Sequence, residues 1–393
     1  MSTHPPEPSL VSHSRAARAP LFAAGFTTAF GAHAVAANLG TSTGTTASAL
    51  LTLGALLAIY DGAEVLLKPV FGTLADRIGA RTVLIAGLVV FAAASASFAL
   101  LDEPGWLWVA RFGQGVGAAA FSPSASALVA RLSPPTSHGR AFGSYGFYKS
   151  LGYTLGPLLG GVIVTTGGLA TLFAVMTVLG LGVALWALVA VPVVAPAPRR
   201  RQTLLDTVRR FSDTAFVAPT LALAAATAAL SVGVGFLPVS GSHAGLSPAV
   251  TGAVVSVLAL TTAVVQPLAG RALDAGKVTA RAGMATGAAL TAVGLAAAAL
   301  PGLAGILCAA VIIGTGCGVI TPLAFTMLAR SAPQEHLGQT MGAAEIGREC
   351  GDAAGPLVVA AIAASATLPL GYLGLAAIIA TSQLVTTAIS RRR

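Results

Sequence analysis

Seven charged residues stand inside apolar runs at helical spacing. Asp61, Glu64 and Lys68 follow one another at i, i+3 and i+7, and Glu345, Arg348, Glu349 and Asp352 at i, i+3, i+4 and i+7. On an α-helix each set forms one stripe. A charge at mid-depth in hydrocarbon costs on the order of 3 kcal/mol unless it is paired or wet, so both stripes must face protein or a water-filled cavity. Arg111 and Lys149 bring the set to five acids and four bases. The odd carboxylate can be neutral, and a carboxyl that exchanges its proton as its surroundings alternate is the least that proton coupling requires. Static salt bridges between helices would use the same residues, and that alternative stays open at this point.

A second group could line a cavity. Tyr145 and Tyr153 flank Lys149 at one helical turn on either side and Tyr148 is its neighbour, so three of the five tyrosines fall in one run. His33 and Asn38 are the polar residues singled out in the first apolar run, and His33 could equally be a packing histidine. Cys308, Cys317 and Cys350 lie in apolar runs without metal-type spacing and read as packing residues; no metal and no cofactor is expected.

The elements that carry these residues are duplicated. Sliding the sequence on itself by 199 residues aligns Gly115 with Gly314, Gly117 with Gly316, Pro123 with Pro322, Arg131 with Arg330, and the pair Gly156-Pro157 with Gly355-Pro356. The same shift lays Lys149 on Arg348. Such register over more than forty residues means two related halves. The solvent follows from composition: 55% of the 393 residues are apolar, 9% are charged and the mean hydropathy is +0.84, far from a soluble domain.

Apolar spans are expected at 20–39, 46–71, 82–101, 106–131, 140–166 and 169–195, and again at 215–238, 248–268, 282–300, 303–329, 339–366 and 370–389. Each is near the roughly 20 residues that cross a bilayer. Ala34-Val35-Ala36 resembles a signal cleavage site, but cutting there would unbalance a duplicated protein, so the first span is expected to be retained. The organisation is therefore a tail at 1–19, a six-helix bundle at 20–195, a connector at 196–214, a second bundle at 215–389 and a basic tail at 390–393. In the connector, Leu204, Leu205, Val208 and Phe211 mark one face of a short amphipathic helix.

Charge bias orients the chain. With the N-terminus inside, 18 of the 22 Lys and Arg fall in inner segments, none in outer loops, and the other four, Lys68, Arg111, Lys149 and Arg348, within spans. Both termini are thus expected in the cytoplasm. Basic residues scattered over topological anchors also remove the net charge of +9 as a sign of nucleic-acid binding.

After the second span the chain reads Gly72-Thr73-Leu74-Ala75-Asp76-Arg77-Ile78-Gly79-Ala80-Arg81. Its glycines would allow a tight turn, with Asp76 placed to accept bonds from a helix N-terminus and Arg77 and Arg81 meeting lipid headgroups. A weaker copy, Gly270-Arg271-Ala272-Leu273-Asp274, follows at a shift of 198. The first loop resembles the Gly-x-Leu-Ala-Asp-Arg-x-Gly signature of the major facilitator superfamily, with Ala80 in place of a basic residue. Arg111-Phe112-Gly113-Gln114-Gly115-Val116-Gly117 is similar to its Arg-x-x-Gln-Gly-x-Gly pattern. Gly152 to Gly161, with Gly156-Pro157, resembles the Gly-x-x-x-Gly-Pro-x-x-Gly-Gly signature of that superfamily's proton-linked exporters, although the first span here carries no carboxylate. Independently of the family, Gly152, Gly156 and Gly160 would let helices approach and Pro157 could bend one.

The resemblance implies an all-α membrane protein of twelve transmembrane helices in two pseudo-symmetric six-helix bundles. It would be a monomer in the cytoplasmic membrane, exchanging a small organic molecule, most readily a drug-like compound or metabolite, for protons by alternating access. A proton-coupled importer is the rival. A membrane enzyme would need a nucleophile or metal constellation that the sequence does not offer, and a non-transporting sensor would need a soluble domain. The resemblance also sets the second and eleventh spans face to face. Counting about 1.5 Å per residue from their inner ends puts Asp61 and Arg348 both at roughly 15 Å. That predicts an Asp61–Arg348 pair, leaving Glu64, Glu345, Glu349 and Asp352 to share a labile proton, with Arg111 near the proton path.

Overall fold

The computed structural model describes residues 15–43, 47–101, 104–196 and 211–391, and the connector's amphipathic face at 204–211 lies almost wholly outside them. The described chain is all α, with no strand among its residues. Its helices are α1 (Arg15–Thr43), α2 (Ala47–Ile78), α3 (Ala80–Leu101), α4 (Pro104–Arg131), a long run His138–Ala190, α7 (Thr214–His243), α8 (Pro248–Asp274), α9 (Ala280–Ala297), α10 (Gly302–Ser331), α11 (Leu337–Ser365) and α12 (Leu368–Arg391). The long run has 53 residues, about 80 Å of helix against a hydrocarbon core of about 30 Å, so it must double back. It does so at Gly168, whose φ of 78° lies in the left-handed region that favours glycine. We treat its two arms as α5 (138–167) and α6 (169–190), which restores twelve crossings.

Helix starts in the second half follow ordinary capping chemistry. Asp213 accepts a bond from the Ala215 amide, Ser247 from Val250 with Pro248 at the first helical position, and Thr279 from Ala282. Six helical stretches are long and apolar enough to cross a membrane by composition alone, one of them the doubled run. Helices α2 and α11 do not qualify, because they carry the two charged stripes.

Packing repeats the duplication. Helix α1 lies on α5, α2 on α4 and α3 on α4; correspondingly α7 lies on α11, α8 on α10 and α9 on α10. Between the halves α2 packs on α11 and α5 on α8, a pair of contacts exchanged by the same shift. A Cβ at Gly72 would lie 2.5 Å from the Gly338 carbonyl oxygen, and one at Gly342 2.7 Å from that of Lys68. Their equivalents, Gly139 against Gly270 and Gly143 against Gln266, make the other close approach. Only residues without a side chain allow backbones this near.

Two expectations are corrected. The segment from Gly72 is no turn: α2 stays helical to Ile78 and the chain reverses only at Gly79, with φ of 100°. Gly72 serves the α2–α11 contact instead. The α5 glycines also serve packing, since Gly152 and Gly156 lie against the Phe30 segment of α1. The backbone remains helical through Pro157, and the one non-helical residue of the run is Gly168.

Candidate functional site

The basic end of the molecule, where α2, α4, α8 and α10 finish, is held by two matching locks. Asp76 closes α2 and sets its Oδ1 2.8 Å from the Gly338 amide and its Oδ2 2.8 Å from the Gln339 amide. Those are the free N–H groups at the start of α11, where a carboxylate is favoured by both hydrogen bonding and the helix dipole. Arg131 donates to the same Asp76 oxygen at 2.8 Å and to the Gln334 carbonyl at 2.9 Å. In the other lock Asp274 accepts from the Gly139 and Arg140 amides at 2.9 and 2.6 Å, at the start of α5. Arg330 approaches Asp274 at 3.8 Å and donates to the Pro135 carbonyl at 2.8 Å. The helix N-terminus expected opposite Asp76 thus belongs to the other half. Arg77 is exposed, and Arg81 donates to the Leu188 carbonyl at 2.5 Å.

Deeper in, the two stripes meet. Lys68 is fully buried, and its Nζ lies 2.8 Å from Glu64, 2.7 Å from Glu349 and 3.5 Å from Glu345. Glu345, also at 0% exposure, offers one oxygen, Oε2, to Lys68, Lys149 and Arg348, each at 3.5 Å. Its other oxygen, Oε1, is buried without a hydrogen-bond partner among the described residues. Arg348 Nη2 donates to the Tyr153 hydroxyl at 3.2 Å, and the His33 ring stands edge-on to Tyr153 at 4.5 Å. Three cations and three carboxylates therefore form one network spanning α2, α5 and α11.

The expected Asp61–Arg348 pair is not what forms. Arg348 takes Glu345 and Tyr153, and among the described residues no ion pair joins it to Asp61, which is exposed. Equal depth of Cα atoms misled because helical side chains lean toward their own N-terminus. Lys68 on α2 leans away from the basic end and Glu349 on the antiparallel α11 leans toward it. Lys68 rises four residues above Gly72 and Glu349 eleven above Gly338, a gap of roughly 10 Å along the axis that two long side chains bridge. Lys68 was legible as part of a stripe, but its place at the hub was not.

Other expected residues scatter. Arg111 is buried away from carboxylates: it donates to the Leu56 carbonyl and to Gln114, which donates to Ser95, and its guanidinium lies 4.3 Å over the Tyr60 ring. Asp352 is exposed on α11. Asn38 donates to the Ala34 carbonyl on its own helix and faces Gly160. Tyr148 turns from the cavity and stacks on Phe22 at 5.6 Å, because it is about 100° round the helix from Lys149.

A cavity of about 510 Å³ opens between the halves, and Tyr145, Lys149, Tyr153 and Arg348 line it together with Gln266 and Phe325. Gln266 carried no signal in the sequence, yet it donates to Ser150 across the α5–α8 contact at 2.8 Å. A Cβ at Gly146 would overlap its amide, so Gly146 is the space Gln266 occupies. Under the internal shift Gln266 answers to Lys68, Ser150 to Glu349 and Gly146 to Glu345. Repeat comparison could have found them.

Comparison with known proteins agrees with this geometry. The sequence profile of the Major Facilitator Superfamily matches residues 20–239 and 220–392. The Uncharacterized MFS-type transporter Rv1250 of Mycobacterium tuberculosis is 36% identical over 126 residues, 31% of this chain and 22% of that protein. The Multidrug resistance protein MdtH of Salmonella newport is 38% identical over 89 residues, 23% of this chain and 22% of the relative. The matched stretches thus span about a fifth of these curated relatives. The crystal structure of the human organic anion transporter MFSD10 (TETRAN) superposes over 97% of this chain and all of that one, with a TM-score of 0.78 at 17% identity, a likeness of fold.

Proposed function

The chain belongs to the major facilitator superfamily, and from that premise we propose that it is a proton-coupled secondary transporter exporting a small organic molecule by alternating access. The carrying observation is Glu345, fully buried at the meeting of α2, α5 and α11, with one oxygen shared by three cations and the other open to a proton.

By the positive-inside rule the basic end is cytoplasmic, both termini are inside, and the bilayer is the cell membrane. The two aspartate locks then close the cytoplasmic side, so this is an outward-facing conformation with the cavity beyond them. A proton arriving from outside and taken by Glu345, Glu349 or Glu64 removes one carboxylate from Lys68. That weakens the α2–α11 tie four residues above Gly72, where the Asp76 lock begins, and a buried cation short of a partner is costly enough to drive rearrangement. The halves part at the inner side and the substrate exchanges. Export rather than import is supported by the resemblance of the Gly156-Pro157 segment and by the multidrug-resistance name of one relative. The reading has the chain act as a monomer, with a small molecule, protons and lipid as its partners and no nucleic acid.

Import with protons is the second reading, favoured by one observation. Lys149 and Arg348 both line the cavity and hold Glu345, so a proton on Glu345 frees them for a substrate that enters with it. Purified protein in liposomes loaded with a pH-sensitive dye tests both, using a panel of anionic, neutral and cationic aromatic compounds. Compounds are expected to evoke proton movement that Lys68→Met abolishes. Movement opposite to the compound's own flux supports export, movement with it import. Evoked movement that is the same in Lys68→Met would sink the charge network as the coupling site.

A further inference from the structure

The charge lining the cavity is of one sign. Fifteen residues line it, two of them charged, and both are cations, Lys149 and Arg348. The acids that might have balanced them are engaged or elsewhere. Glu64 and Glu349 are held at 2.8 and 2.7 Å by Lys68, Glu345 sits behind the cations at 0% exposure, and Asp61 and Asp352 are not among the lining residues.

The two cations are also short of partners. Lys149 is 6% exposed, and its polar contact among the described residues is the Glu345 oxygen at 3.5 Å, outside good hydrogen-bond range. An ammonium carries three donors, so most of its capacity is unspent. Arg348, with five, makes one bond to Tyr153 at 3.2 Å and a 3.5 Å contact to that same shared oxygen. One carboxylate oxygen divided three ways cannot satisfy both. Beside them the wall is apolar and flat: Phe142 and Phe325 stack at 5.6 Å with 18° between their planes, and Leu230 adjoins them.

We infer that the cavity takes a small organic anion, its charged group held between Lys149 Nζ and the Arg348 guanidinium and its aromatic or aliphatic body against Phe142 and Phe325. Bonds from ionised donors to an anion are the strong kind, and they would meet the donors left unspent here. A cation would face two like charges, and a neutral molecule would leave them uncompensated. This class of substrate rests on the transporter reading above but not on its direction.

Three probes of one shape separate the classes: benzoate, benzamide and benzylamine, titrated calorimetrically into the full chain in lipid nanodiscs. Benzoate is expected to bind, more tightly than the other two. Lys149→Gln should weaken it by about tenfold or more, and Lys149→Arg should restore most of the loss. Each variant's melting curve is taken alongside, so a misfolded variant is recognised. Benzylamine or benzamide binding as tightly as benzoate, no benzoate binding at millimolar concentration, or an unaltered Lys149→Gln would each overturn the inference. The liposome panel keeps the two readings apart. Lys68-dependent proton movement evoked by cations alone would end the anion proposal while leaving the transporter. No evoked movement despite benzoate binding would do the reverse.

Discussion

Lys68 and Gln266 occupy equivalent positions in the two halves, and each reaches across an interface to the counterpart of the other's partner: Lys68 to Glu349 at 2.7 Å, Gln266 to Ser150 at 2.8 Å. The geometry is shared and the chemistry is not. At the α2–α11 interface the link is ionic and can respond to a proton, while at α5–α8 it is a neutral hydrogen bond that cannot.

Replacing these two residues should therefore have unlike effects. Lys68→Met is expected to abolish the response of transport to a pH gradient and to destabilise the fold by about 3 kcal/mol, since three carboxylates lose a buried cation. Gln266→Met should slow transport and leave its pH response intact. The pair Lys68→Met with Glu349→Gln should be less damaged than the two losses summed. Additive losses would mean that the two groups are not coupled.

Closure of the basic end depends on backbone contact. Gly72→Ala puts a methyl group 2.5 Å from a carbonyl oxygen that cannot step aside. The variant should insert normally yet leave the cavity more reachable from the basic side. In a background with all three cysteines replaced, Thr321→Cys on the cavity wall would report this by its rate of labelling with an impermeant maleimide. No gain in rate over the parent would show that the contact is not needed for closure.

The two aspartate locks should be interchangeable in effect. Asp76→Asn and Asp274→Asn each keep shape and lose charge at a helix N-terminus, worth about 1.5 kcal/mol for a hydrogen bond to a charged group. Each is expected to raise labelling of the same cysteine by about tenfold. A change confined to Asp76 would leave Asp274 as surface decoration.

Orientation can be read with reporters fused after Arg200, Arg392 and Gly302. The first two should report the cytoplasm and the third the exterior. An external Arg200 would invert the assignment of the gates.

Gly168 is the reversal between α5 and α6, with open space where a side chain would go. Gly168→Ala should thus cost only the left-handed backbone, about 1–2 kcal/mol, read as a lower melting temperature with transport retained. Loss of transport at unchanged stability would make it a hinge.

Much of this was legible in the chain. The repeat, the twelve crossings and the two charged stripes follow from register, length and the cost of charge in lipid, none of which needs side-chain detail. What failed was pairing. Asp61 and Arg348 were matched by Cα depth, and depth does not say which way a four-carbon stem leans. Tyr148 was grouped with Lys149 by adjacency, though adjacent residues on a helix point about 100° apart. Gly72 looked like a turn because glycine in a polar stretch suits a turn as well as a helix crossing. Gln266, Ser150 and Gly146 carry no pattern of their own and become visible only when one half is laid upon the other.

The twofold arrangement of Asp76 and Asp274 also bears on leak. A transporter dissipates the gradient it lives on whenever both faces are open together, so the inner face must hold shut while the outer one stands wide. Two separate fasteners make that failure a joint event: if each springs open about one time in a hundred, at roughly 2.7 kcal/mol, both do so about one time in ten thousand. Duplication of the chain, whatever its origin, hands the membrane a safeguard that multiplies where a single stronger bond would only add.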